Sequence, residues 1–444
     1  MAPQILSIEY CPLDSIRLDP QNARLHSKKQ VRQIAQSIKT FGFNVPVLID
    51  GRSQLIAGHG RALGAQLLGM TYIPTIKLEH LNDAQRRAFM ITDNRLTENS
   101  VWDERLLAEQ LKALSVLELD FNIDITGFEV GEIDVMIEGL TPAGRGKDDP
   151  ADAIPESRTK LQVTQAGDLW VLNRHRVLCG DARNDAAYCA LMQGQRASTV
   201  FSDPPYNDPI DGYVAGFGKV HHAEFPMASG EMSEAEFTTF LTGVLTLLAR
   251  HSSDGALQFV CMDWRHTREL LTAAGKANSE FKNLCVWVKD VAGQGSLYRS
   301  QHELIFVFKS GKGAHRNNIQ LGQFGRYRTN VWQYRRVNSL GSAREESNLK
   351  NLHPTIKPVE LVADAILDCT ARGDVVLDPF LGSGTTLVAS ERIGRVCYGI
   401  ELEPCYVDTI VRRWQRFTGL DAVHQSTGQA FAQREYEAAN APPR

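Results

Sequence analysis

The stretch that decides the fold is VVLDPFLGSGTT, residues 375–386. An apolar β-type run ends at Asp378, a loop with Gly382 and Gly384 follows, and a helical run comes next. Glycines in such a loop let backbone amides approach a ligand closely, and the helix N-terminus favours a negative group such as a carboxylate. Glu401 ends the next β-type run, about 20 residues further on, where an acid can bind ribose hydroxyls. The pattern predicts a nucleoside site at the edge of a sheet.

Three other interpretations of this loop fit less well. A phosphate-binding P-loop carries Lys after its last glycine, whereas Thr385 follows Gly384 here. A nicotinamide-binding loop prefers a third glycine where Leu387 stands. A tight strand-to-helix turn without any ligand stays open for the loop taken alone. A nucleoside cofactor without phosphates, bound through its ribose and its amino-acid end, fits best.

The sequence on both sides of the loop alternates between β-type and helical runs. β-type runs lie at 200–202, 257–261, 284–288, 304–308, 375–377 and 396–400, and helical runs at 237–249, 359–370 and 385–393. Alternation of this kind predicts an α/β fold with a mostly parallel, Rossmann-like sheet covered by helices.

A second motif, SDPPYN at residues 202–207, directly follows a β-type run. Pro204 and Pro205 fix the backbone after Asp203, so the Asp203 carboxylate and the Pro204 carbonyl point in set directions. Two such acceptors beside the ring of Tyr206 suit the exocyclic amino group of a planar base. Hydrogen bonding there stabilises the positive charge that develops when the amino nitrogen, a poor nucleophile, attacks an electrophile. Alone, the tetrapeptide is also compatible with an ordinary Asp-Pro turn.

Six motifs in order resemble the amino-group DNA methyltransferases, in the permuted class in which D-P-P-Y precedes the cofactor loop. They are LCGDA at 178–182, SDPPYN at 202–207, VWVKDVAGQGSLYRSQHE at 286–303, HPTIKP at 353–358, DPFLGSGTT at 378–386 and GIELEP at 399–404. The resemblance covers residues 167–419 and implies S-adenosyl-L-methionine as the methyl donor. It also implies double-stranded DNA as the partner, with the target base flipped out of the duplex.

The resemblance implies roles for individual residues. Asp203, Pro204, Pro205 and Tyr206 are the expected catalytic residues, and an Asp at position 203 favours adenine N6 over cytosine N4. Around the cofactor, Asp181 is expected to contact the adenine, Lys357 to line the methionine end and Glu401 to hold the ribose. The complete expected cofactor set is Asp181, Lys357, Asp378, Phe380, Gly382, Gly384, Thr385 and Glu401.

Residues 309–350 occupy the place where the permuted class carries its target-recognition segment. They contain nine Lys or Arg and two acids, whereas the whole chain has a net charge of −4. Interleaved aromatic and amide side chains suit base faces and base edges, and the charge suits phosphates. A solvated basic loop is the alternative. The predicted DNA-binding residues are Arg316, Arg326, Arg328, Arg335 and Arg336.

The first 100 residues show a different pattern. A helical spacing at 31–40, a predicted strand pair around Asp50-Gly51 and the box Gly58-His59-Gly60-Arg61 resemble the N-terminal domain of the ParB family, an α+β domain. In that family the box helps to bind the phosphates of a nucleotide triphosphate. The nucleotide-binding residues expected on this basis are Arg24, Gly58, Gly60 and Arg61.

Two departures limit what this second resemblance implies. Ala62 stands where many ParB members carry a second Arg, which argues against nucleotide hydrolysis. The related sulfiredoxin box needs a Cys where Gly60 stands, which argues against that chemistry. No ParB-type helix-turn-helix is expected after the box. An accessory domain for DNA docking or homodimer formation, without nucleotide, is the alternative.

The expected domains are a ParB-like unit with an acidic helical extension at 1–140, a linker at 141–158, a methyltransferase domain at 159–424 and a frayed polar tail at 425–444. The composition, 43% hydrophobic and 23% charged, is that of a globular protein. No leader or apolar run of about 20 residues is evident, so a cytoplasmic protein without a membrane partner is expected. The eight scattered cysteines predict neither disulfides nor a metal site.

The function predicted is therefore site-specific methylation of adenine in duplex DNA. Methylation of cytosine N4 by the same chemistry is one alternative. A ParB-like DNA-binding or nucleotide-switch protein with a non-catalytic methyltransferase scaffold is another. Methylation of RNA or of a protein glutamine is a third, although the glutamine enzymes resemble an N-P-P-Y pattern from which Asp203 departs.

Overall fold

The computed structural model describes residues 6–20, 22–117, 121, 123–140, 150–153, 162–207, 230–292, 297–319, 328–335 and 356–440. The chain divides into two compact units, Met1–Thr141 and Pro142–Arg444. No helix within the described ranges has the length and apolar character needed to cross a bilayer.

The first unit is an α+β domain around a four-stranded sheet of order β1-β4-β2-β3. Its strands are β1 (Glu9–Pro12), β2 (Val47–Ile49), β3 (Leu55–Ala57) and β4 (Tyr72–Lys77). Its helices are α1 (Lys28–Phe41), α2 (His59–Leu67), α3 (Asp83–Glu98), α4 (Glu104–Val116) and α5 (Val130–Gly139). The predicted strand pair and the helical run at 31–40, which lies within α1, are confirmed.

The turn between β2 and β3 and the start of α2 show why the sequence folds this way. The backbone amides of Arg52 and Gln54 both donate to the Asp50 carboxylate at 2.8 Å, which closes the turn. Gly58 precedes α2 with a φ of 96°, a conformation that residues with a Cβ rarely adopt. The predicted hairpin therefore leads directly into the glycine box.

The second unit is built on a ten-stranded sheet flanked by seven helices, counted over the described residues. Its strands are β5 (Leu169–Leu172), β6 (His175–Cys179), β7 (Ala197–Ser202), β8 (Ser252–Met262), β9 (Glu280–Val288), β10 (His302–Lys309), β11 (Val331–Gln333), β12 (Val375–Asp378), β13 (Val396–Glu401) and β14 (Val423–His424). Its helices are α6 (Asp185–Met192), α7 (Glu234–His251), α8 (Thr267–Lys276), α9 (Val359–Leu367), α10 (Thr385–Arg392), α11 (Pro404–Thr418) and α12 (Phe431–Ala439).

The strand order is β11-β9-β10-β8-β7-β12-β13-β6-β5-β14. Five of the nine pairings are parallel, and they include the continuous central run β8-β7-β12-β13-β6. β10 lies antiparallel between β8 and β9, and β5 and β14 continue the other edge antiparallel. The predicted α/β fold with a mostly parallel sheet is confirmed, and the carboxyl ends of the central strands share one edge.

The core of this unit follows the periodicity that the sequence shows. All six residues of β13 are buried, as expected for a central strand covered on both faces. On α7 the buried side chains Phe237, Leu241, Val244 and Leu248 recur every three to four residues and face a cluster of strand residues. Burying such side chains stabilises the fold by about 1.5–3 kcal/mol each.

The C-terminal residues differ from the frayed polar tail that the sequence predicts. Residues 431–439 form α12, and Phe431 is fully buried with its ring 5.0 Å from that of Trp170. Arg412 on α11 pairs with Glu435 on α12 at 2.7 Å. Besides Phe431, the helix is docked by this ion pair and by a second one between Arg434 and Asp168 at 3.3 Å, and these contacts produce no hydrophobic period in the sequence.

Most of the predicted linker lies outside the described residues. Of its part that is described, residues 150–152 form a short 3₁₀ helix on the second unit. Ala151 is buried and accepts a hydrogen bond from Arg413, and the Asp152 carboxylate accepts one from the Val359 amide at 2.9 Å. Packing against the second unit thus begins before residue 159.

Candidate active site

Four acidic side chains lie at the carboxyl ends of adjacent strands. Asp203 follows β7, Asp378 ends β12, Glu401 ends β13 and Asp181 follows β6. Since these strands are parallel and neighbouring, their ends meet at one edge, where open α/β sheets bind ligands. The charges of Asp203 and Glu401 act on the buried Asp378. The two motifs that sequence analysis singled out therefore form one site.

The Asp203 carboxylate is held at both oxygens. Its Oδ1 accepts a hydrogen bond from the Tyr206 hydroxyl at 2.6 Å, and its Oδ2 accepts one from the Lys357 ammonium at 2.6 Å. Asn207, with a φ of 57°, anchors the end of the motif because its side chain bonds to the backbone of Gly230 and Met232. The loop thus presents Asp203 in one orientation.

Glu303, on β10, is a site residue to which the sequence analysis assigned no role. Its Oε1 lies 2.7 Å from the Tyr206 hydroxyl and 2.8 Å from Lys357 Nζ, and its Oε2 accepts from Lys289 at 2.9 Å. The side chain is 8% exposed. The signal in the sequence is an acid at a buried position of the apolar strand HELIFVFK, since a lone buried carboxylate needs a partner.

Lys357 lies beside Asp203. The resemblance implies that it lines the methionine end of the cofactor, and that role stays a prediction; in the structure its Nζ is buried between Asp203 and Glu303. The ligand atoms of Asp203, Glu303 and Cys261 lie within 4.8 Å of one another. The cation held by the two carboxylates in this structure is the Lys357 ammonium. Lys357 therefore belongs to the D-P-P-Y side of the site.

Burial and charge set the protonation of this cluster. Burial raises the pKa of Asp203, and the Glu303 charge raises it further against the opposing effect of Lys357. Burial also acts to raise the pKa of Glu303, but the ammonium groups of Lys357 and Lys289 hold that pKa well below its usual range. Burial acts to lower the pKa of Lys357, which the two carboxylates instead hold above its usual range. Of the two acids, Asp203 is the one that takes up a proton first.

The glycine loop is closed by Glu401. The Gly382 amide donates to Glu401 Oε2 at 2.8 Å, and the Glu403 amide donates to Oε1 at 3.0 Å. The Gly382 amide thus binds a side chain, whereas the loop pattern predicts that it meets a ligand. Gly384 caps α10 with a φ of 83°, and a Cβ there would lie 3.2 Å from Ile410. Burial raises the pKa of Glu401 to about 7.

Asp378 is oriented by the loop that follows it. Thr386 donates its hydroxyl to Oδ2 at 2.6 Å and the Phe380 amide donates to Oδ1 at 3.0 Å. Burial raises the pKa of Asp378 to about 7 despite these two donors. The Phe380 ring is half-buried against Phe240, 6.2 Å away.

The other two expected cofactor residues have protein partners. Thr385 is buried and its hydroxyl lies 3.3 Å from Arg413, which also bonds to the Ser383 carbonyl. Thr385 therefore stabilises the glycine loop through Arg413. Asp181 accepts hydrogen bonds from the guanidinium of Arg183, which lowers its pKa.

The expected DNA-binding arginines separate into three groups. Arg316 and Arg335 are exposed. Arg326 and Arg336 lie outside the described residues. Arg328 is a correction, because its side chain is only 15% exposed and bonds to Asp368 at 2.8 Å and Asp364 at 2.7 Å. Its guanidinium fixes this segment to α9 and its end, and it does not face a DNA surface.

The residues of the glycine box come together at the start of α2. A Cβ at Gly58 would lie 2.9 Å from the Arg61 guanidinium and from Val47, and one at Gly60 would lie 2.8 Å from Ile34. Burial lowers the pKa of Arg61. Arg24 donates to Asn94 on α3 at 2.9 Å. Both glycines are thus required by the packing of α2, whatever ligand the box binds.

Comparison with known families agrees with this arrangement. A family model described as "DNA methylase" (N6_N4_Mtase) matches residues 197–412, and one described as "ParB N-terminal domain" matches residues 4–95. Residues 197–412 thus belong to the amino-group DNA methyltransferases, which methylate adenine N6 or cytosine N4, and the chain carries a ParB-like N-terminal domain. The cofactor of this family is S-adenosyl-L-methionine.

Individual relatives match parts of the chain. The ParB-like nuclease domain-containing protein YnaK of Escherichia coli (strain K12) is 46% identical over 82 residues, which are 18% of this chain and 94% of YnaK. Type II methyltransferase M.ScaI of Streptomyces caespitosus is 36% identical over 95 residues, 21% of this chain and only 31% of the enzyme. The crystal structure of the M1.HpyAVI–SAM complex is 19% identical with a TM-score of 0.38, covering 54% of this chain and 98% of that one.

The comparisons correct one expectation about the first unit. A family model described as "ParB-methyltransferase HTH domain" matches residues 105–166, where no helix-turn-helix was expected. The match includes α4 and α5, which pack against each other. DNA-binding helices are usually basic. Between residues 98 and 138 only Arg105 and Lys112 are strong bases, so the composition concealed the motif.

Proposed function

We propose that this protein transfers a methyl group from S-adenosyl-L-methionine to the exocyclic amino group of adenine in duplex DNA. The observation that carries the proposal is the Asp203 carboxylate, held at both oxygens by Tyr206 and Lys357 beside an acidic cofactor edge. This arrangement suits a neutral amino group that becomes positively charged during transfer, because a fixed acceptor stabilises that charge. Action on DNA implies the compartment that holds the DNA, the cytoplasm in a bacterial cell.

The residues at the acidic edge fit this cofactor. Asp181, Asp378 and Glu401 are carboxylates, and the segment 378–386 contains no Lys or Arg to bind a phosphate. S-adenosyl-L-methionine carries ribose hydroxyls, an ammonium and a sulfonium, so acids suit it better than cations would. When bound, it supplies a methyl group on a positively charged sulfur. We infer that Glu401 binds the ribose and that Asp181 lies at the adenine end. Asp378, Phe380 and the loop glycines would line the bottom of the cofactor site.

The D-P-P-Y residues would hold the base. Asp203 and the Pro204 carbonyl accept the two amino hydrogens, Pro205 fixes the turn, and the Tyr206 ring stacks on the base. A base that stacks on Tyr206 must leave the helix, which supports base flipping. The preference for adenine rests on Asp203, since the family contains enzymes for both acceptors.

DNA would be bound by two parts of the chain. The exposed Arg316 and Arg335 suit phosphates, as do Arg326 and Arg336 of the same basic segment. The helix-turn-helix match at 105–166 supports a second contact from the first unit, as an accessory DNA-docking element. On this proposal the domain plan is a ParB-like unit followed by the methyltransferase domain, which begins near residue 150 because residues 150–153 pack on it.

A second candidate function concerns the glycine box of the first unit. His59 Nε2 and Arg61 Nε are buried without a hydrogen-bond partner among the described residues. Together with the ParB resemblance, this favours binding of a nucleotide triphosphate by Arg24, Gly58, Gly60 and Arg61. Calorimetry with each of the four ribonucleotide triphosphates tests it. Binding that Arg61→Ala removes supports the candidate, and no binding of any of the four contradicts it.

The test of the main proposal is to map modified bases in a host that lacks its own DNA methylation. Cells that express the protein are compared with cells that express Asp203→Ala, by sequencing that detects N6-methyladenine and N4-methylcytosine separately. We expect N6-methyladenine within one short sequence and none with the variant. N4-methylcytosine alone would contradict the adenine preference and keep the chemistry. No new methyl group in either strain would contradict the proposed function.

A further inference from the structure

Glu303 is held at the centre of the site in a way that sheet packing does not require. It lies opposite Trp287 in the register of β9 and β10, and an apolar residue would fit that buried position. Its three polar contacts, to Tyr206, Lys357 and Lys289, join three separate parts of the chain. Burying a carboxylate has a large desolvation cost, so the arrangement points to a use of its charge.

The Tyr206 hydroxyl connects the two acids. Its oxygen lies 2.6 Å from Asp203 Oδ1 and 2.7 Å from Glu303 Oε1. A hydroxyl has one proton and donates to one acceptor. While both carboxylates are ionised, the hydroxyl can donate to only one of them at a time. An added proton lets both contacts be satisfied, because the protonated carboxyl then donates to the hydroxyl oxygen. Glu303 faces two ammonium groups, so the added proton goes to Asp203, and Tyr206 then donates to Glu303.

We propose that Glu303 is a positioning residue for methyl transfer: through the Tyr206 hydroxyl and the Lys357 ammonium, it holds Asp203 ready to take the proton that the methylated amino group loses. The proposal rests on the proposed function. After transfer, the amino nitrogen carries one proton in excess. Its N–H bond breaks and leaves the electron pair on nitrogen, while an O–H bond forms on Asp203. Asp203 then donates to Tyr206, Tyr206 donates to Glu303, and the proton passes to water once the product has left.

The charges of the groups around Asp203 are consistent with an added proton on Asp203. The ionised pairs Asp203–Lys357 and Glu303–Lys289 are neutral together, so one added proton leaves the cluster with a single positive charge. The titratable groups around Asp203 are Tyr206 on its own loop, Lys357 before α9, Glu303 on β10, Cys261 on β8 and Asp378 on β12, and Lys289 after β9 pairs with Glu303. Of these groups, the Glu303 carboxylate contacts the Tyr206 hydroxyl directly, so it is the acid that can act on Asp203 through Tyr206.

The test is the pH dependence of single-turnover methyl transfer, with purified full-length protein, labelled cofactor and a duplex containing the mapped site. Glu303→Gln keeps the size and the acceptor oxygen but removes the charge, so Asp203 loses a neighbour that raises its pKa. We expect the acid limb of the rate profile to move about one unit to lower pH, and the plateau rate to fall about tenfold. Cofactor affinity, measured by calorimetry, should change less than twofold.

Two further variants keep the test decisive. Glu280→Gln is the matched control, because Glu280 lies at the other end of the same strand pair and pairs with Lys309; its profile should equal that of the wild type. Tyr206→Phe removes the bridge and keeps the ring. If Glu303 acts through Tyr206, the double variant Glu303→Gln/Tyr206→Phe should be no slower than the slower single variant.

Either of two results would overturn the proposal. One is a Glu303→Gln profile that is lowered at every pH without movement of its acid limb. The other is a double variant whose losses multiply. If Glu303→Gln does not fold, the Tyr206→Phe profile decides, since an unchanged acid limb there also overturns it. A wild-type protein that transfers no methyl group would instead sink the proposed function, and so the two failures are distinguishable.

Discussion

Removing the buried ammonium of Lys357 should destabilise the protein in a pH-dependent way. Lys357 Nζ lies 2.6 Å from Asp203 and 2.8 Å from Glu303, and its side chain is 4% exposed. Lys357→Met keeps most of the volume but leaves two buried carboxylates without the cation between them. Loss of one partner of a buried ion pair costs about 3–5 kcal/mol. We therefore expect the free energy of unfolding at pH 8 to fall by about that amount.

The pH dependence follows from Asp203. Without Lys357, the folded-state pKa of Asp203 rises further above its unfolded value, because burial and Glu303 both act in that direction. The folded variant then binds more protons than the unfolded chain, so its stability falls as pH rises through that interval. The deficit relative to the wild type should be smaller at pH 5 than at pH 8. Urea unfolding at the two pH values, followed by fluorescence, measures it.

Lys309→Met provides the control, because Lys309 pairs with the exposed Glu280 on the same strands. It should lose much less stability than Lys357→Met, with no pH dependence between pH 5 and 8. Adding Glu303→Gln to Lys357→Met should restore part of the loss, since one uncompensated charge is removed. The reasoning is refuted if Lys357→Met costs no more than Lys309→Met at pH 8, or if its deficit grows as the pH is lowered.

Three further predictions concern the rest of the site. Burial raises the pKa of Glu401 to about 7, and Glu401 should bind the cofactor ribose only when ionised, so cofactor affinity measured by calorimetry should rise between pH 6 and 8. Glu401→Gln should weaken the affinity about tenfold and reduce this rise, whereas a rise as large as that of the wild type argues against the role. Gly384→Ala should destabilise by about 1–3 kcal/mol, because strain at a φ of 83° adds to a close approach to Ile410. Gly419→Ala, at a φ of 75° with open space around it, should cost less in the same urea experiment, and equal losses would remove the packing argument. Arg335→Ala should weaken duplex binding and reduce the salt dependence of that binding without changing the stability of the fold. Arg328→Ala should mainly lower stability, because it removes two ion pairs. Fluorescence anisotropy measures the binding and urea unfolding the stability, and the reverse pattern would contradict the roles given to the two arginines.

The sheet that carries the site was predictable because its central strands are continuous apolar runs. β12 and β13 end in Asp378 and Glu401, and the sequence places both acids correctly since a strand and the turn after it are local features. Four strands of this sheet were not predicted: β5, β6, β11 and β14. Each has only two to five residues, too few for a clear β-type run, and β14 pairs with a strand far away in sequence.

The site itself was predictable only in part. D-P-P-Y and the glycine loop are short motifs whose chemistry is visible in their residue types. Glu303 meets Tyr206 across 97 residues of sequence, and Lys357 meets Asp203 across 154. Such contacts depend on how the strands are ordered in the sheet, which no local pattern specifies. Arg328 was wrongly predicted to bind DNA for the same reason. Its charge is evident in the sequence, but the two carboxylates with which it pairs lie on a later helix and at the end of that helix.

The central claim, methyl transfer to a base amino group held by Asp203, is tested most directly by single-turnover transfer of a labelled methyl group to duplex DNA. Asp203→Asn should reduce the transfer rate at least about 100-fold while cofactor affinity changes little, since the fixed negative acceptor is lost and the cofactor edge is not. Asp185→Asn, at an exposed ion pair with Arg250, should transfer at the wild-type rate. Transfer by Asp203→Asn at the wild-type rate would contradict the account.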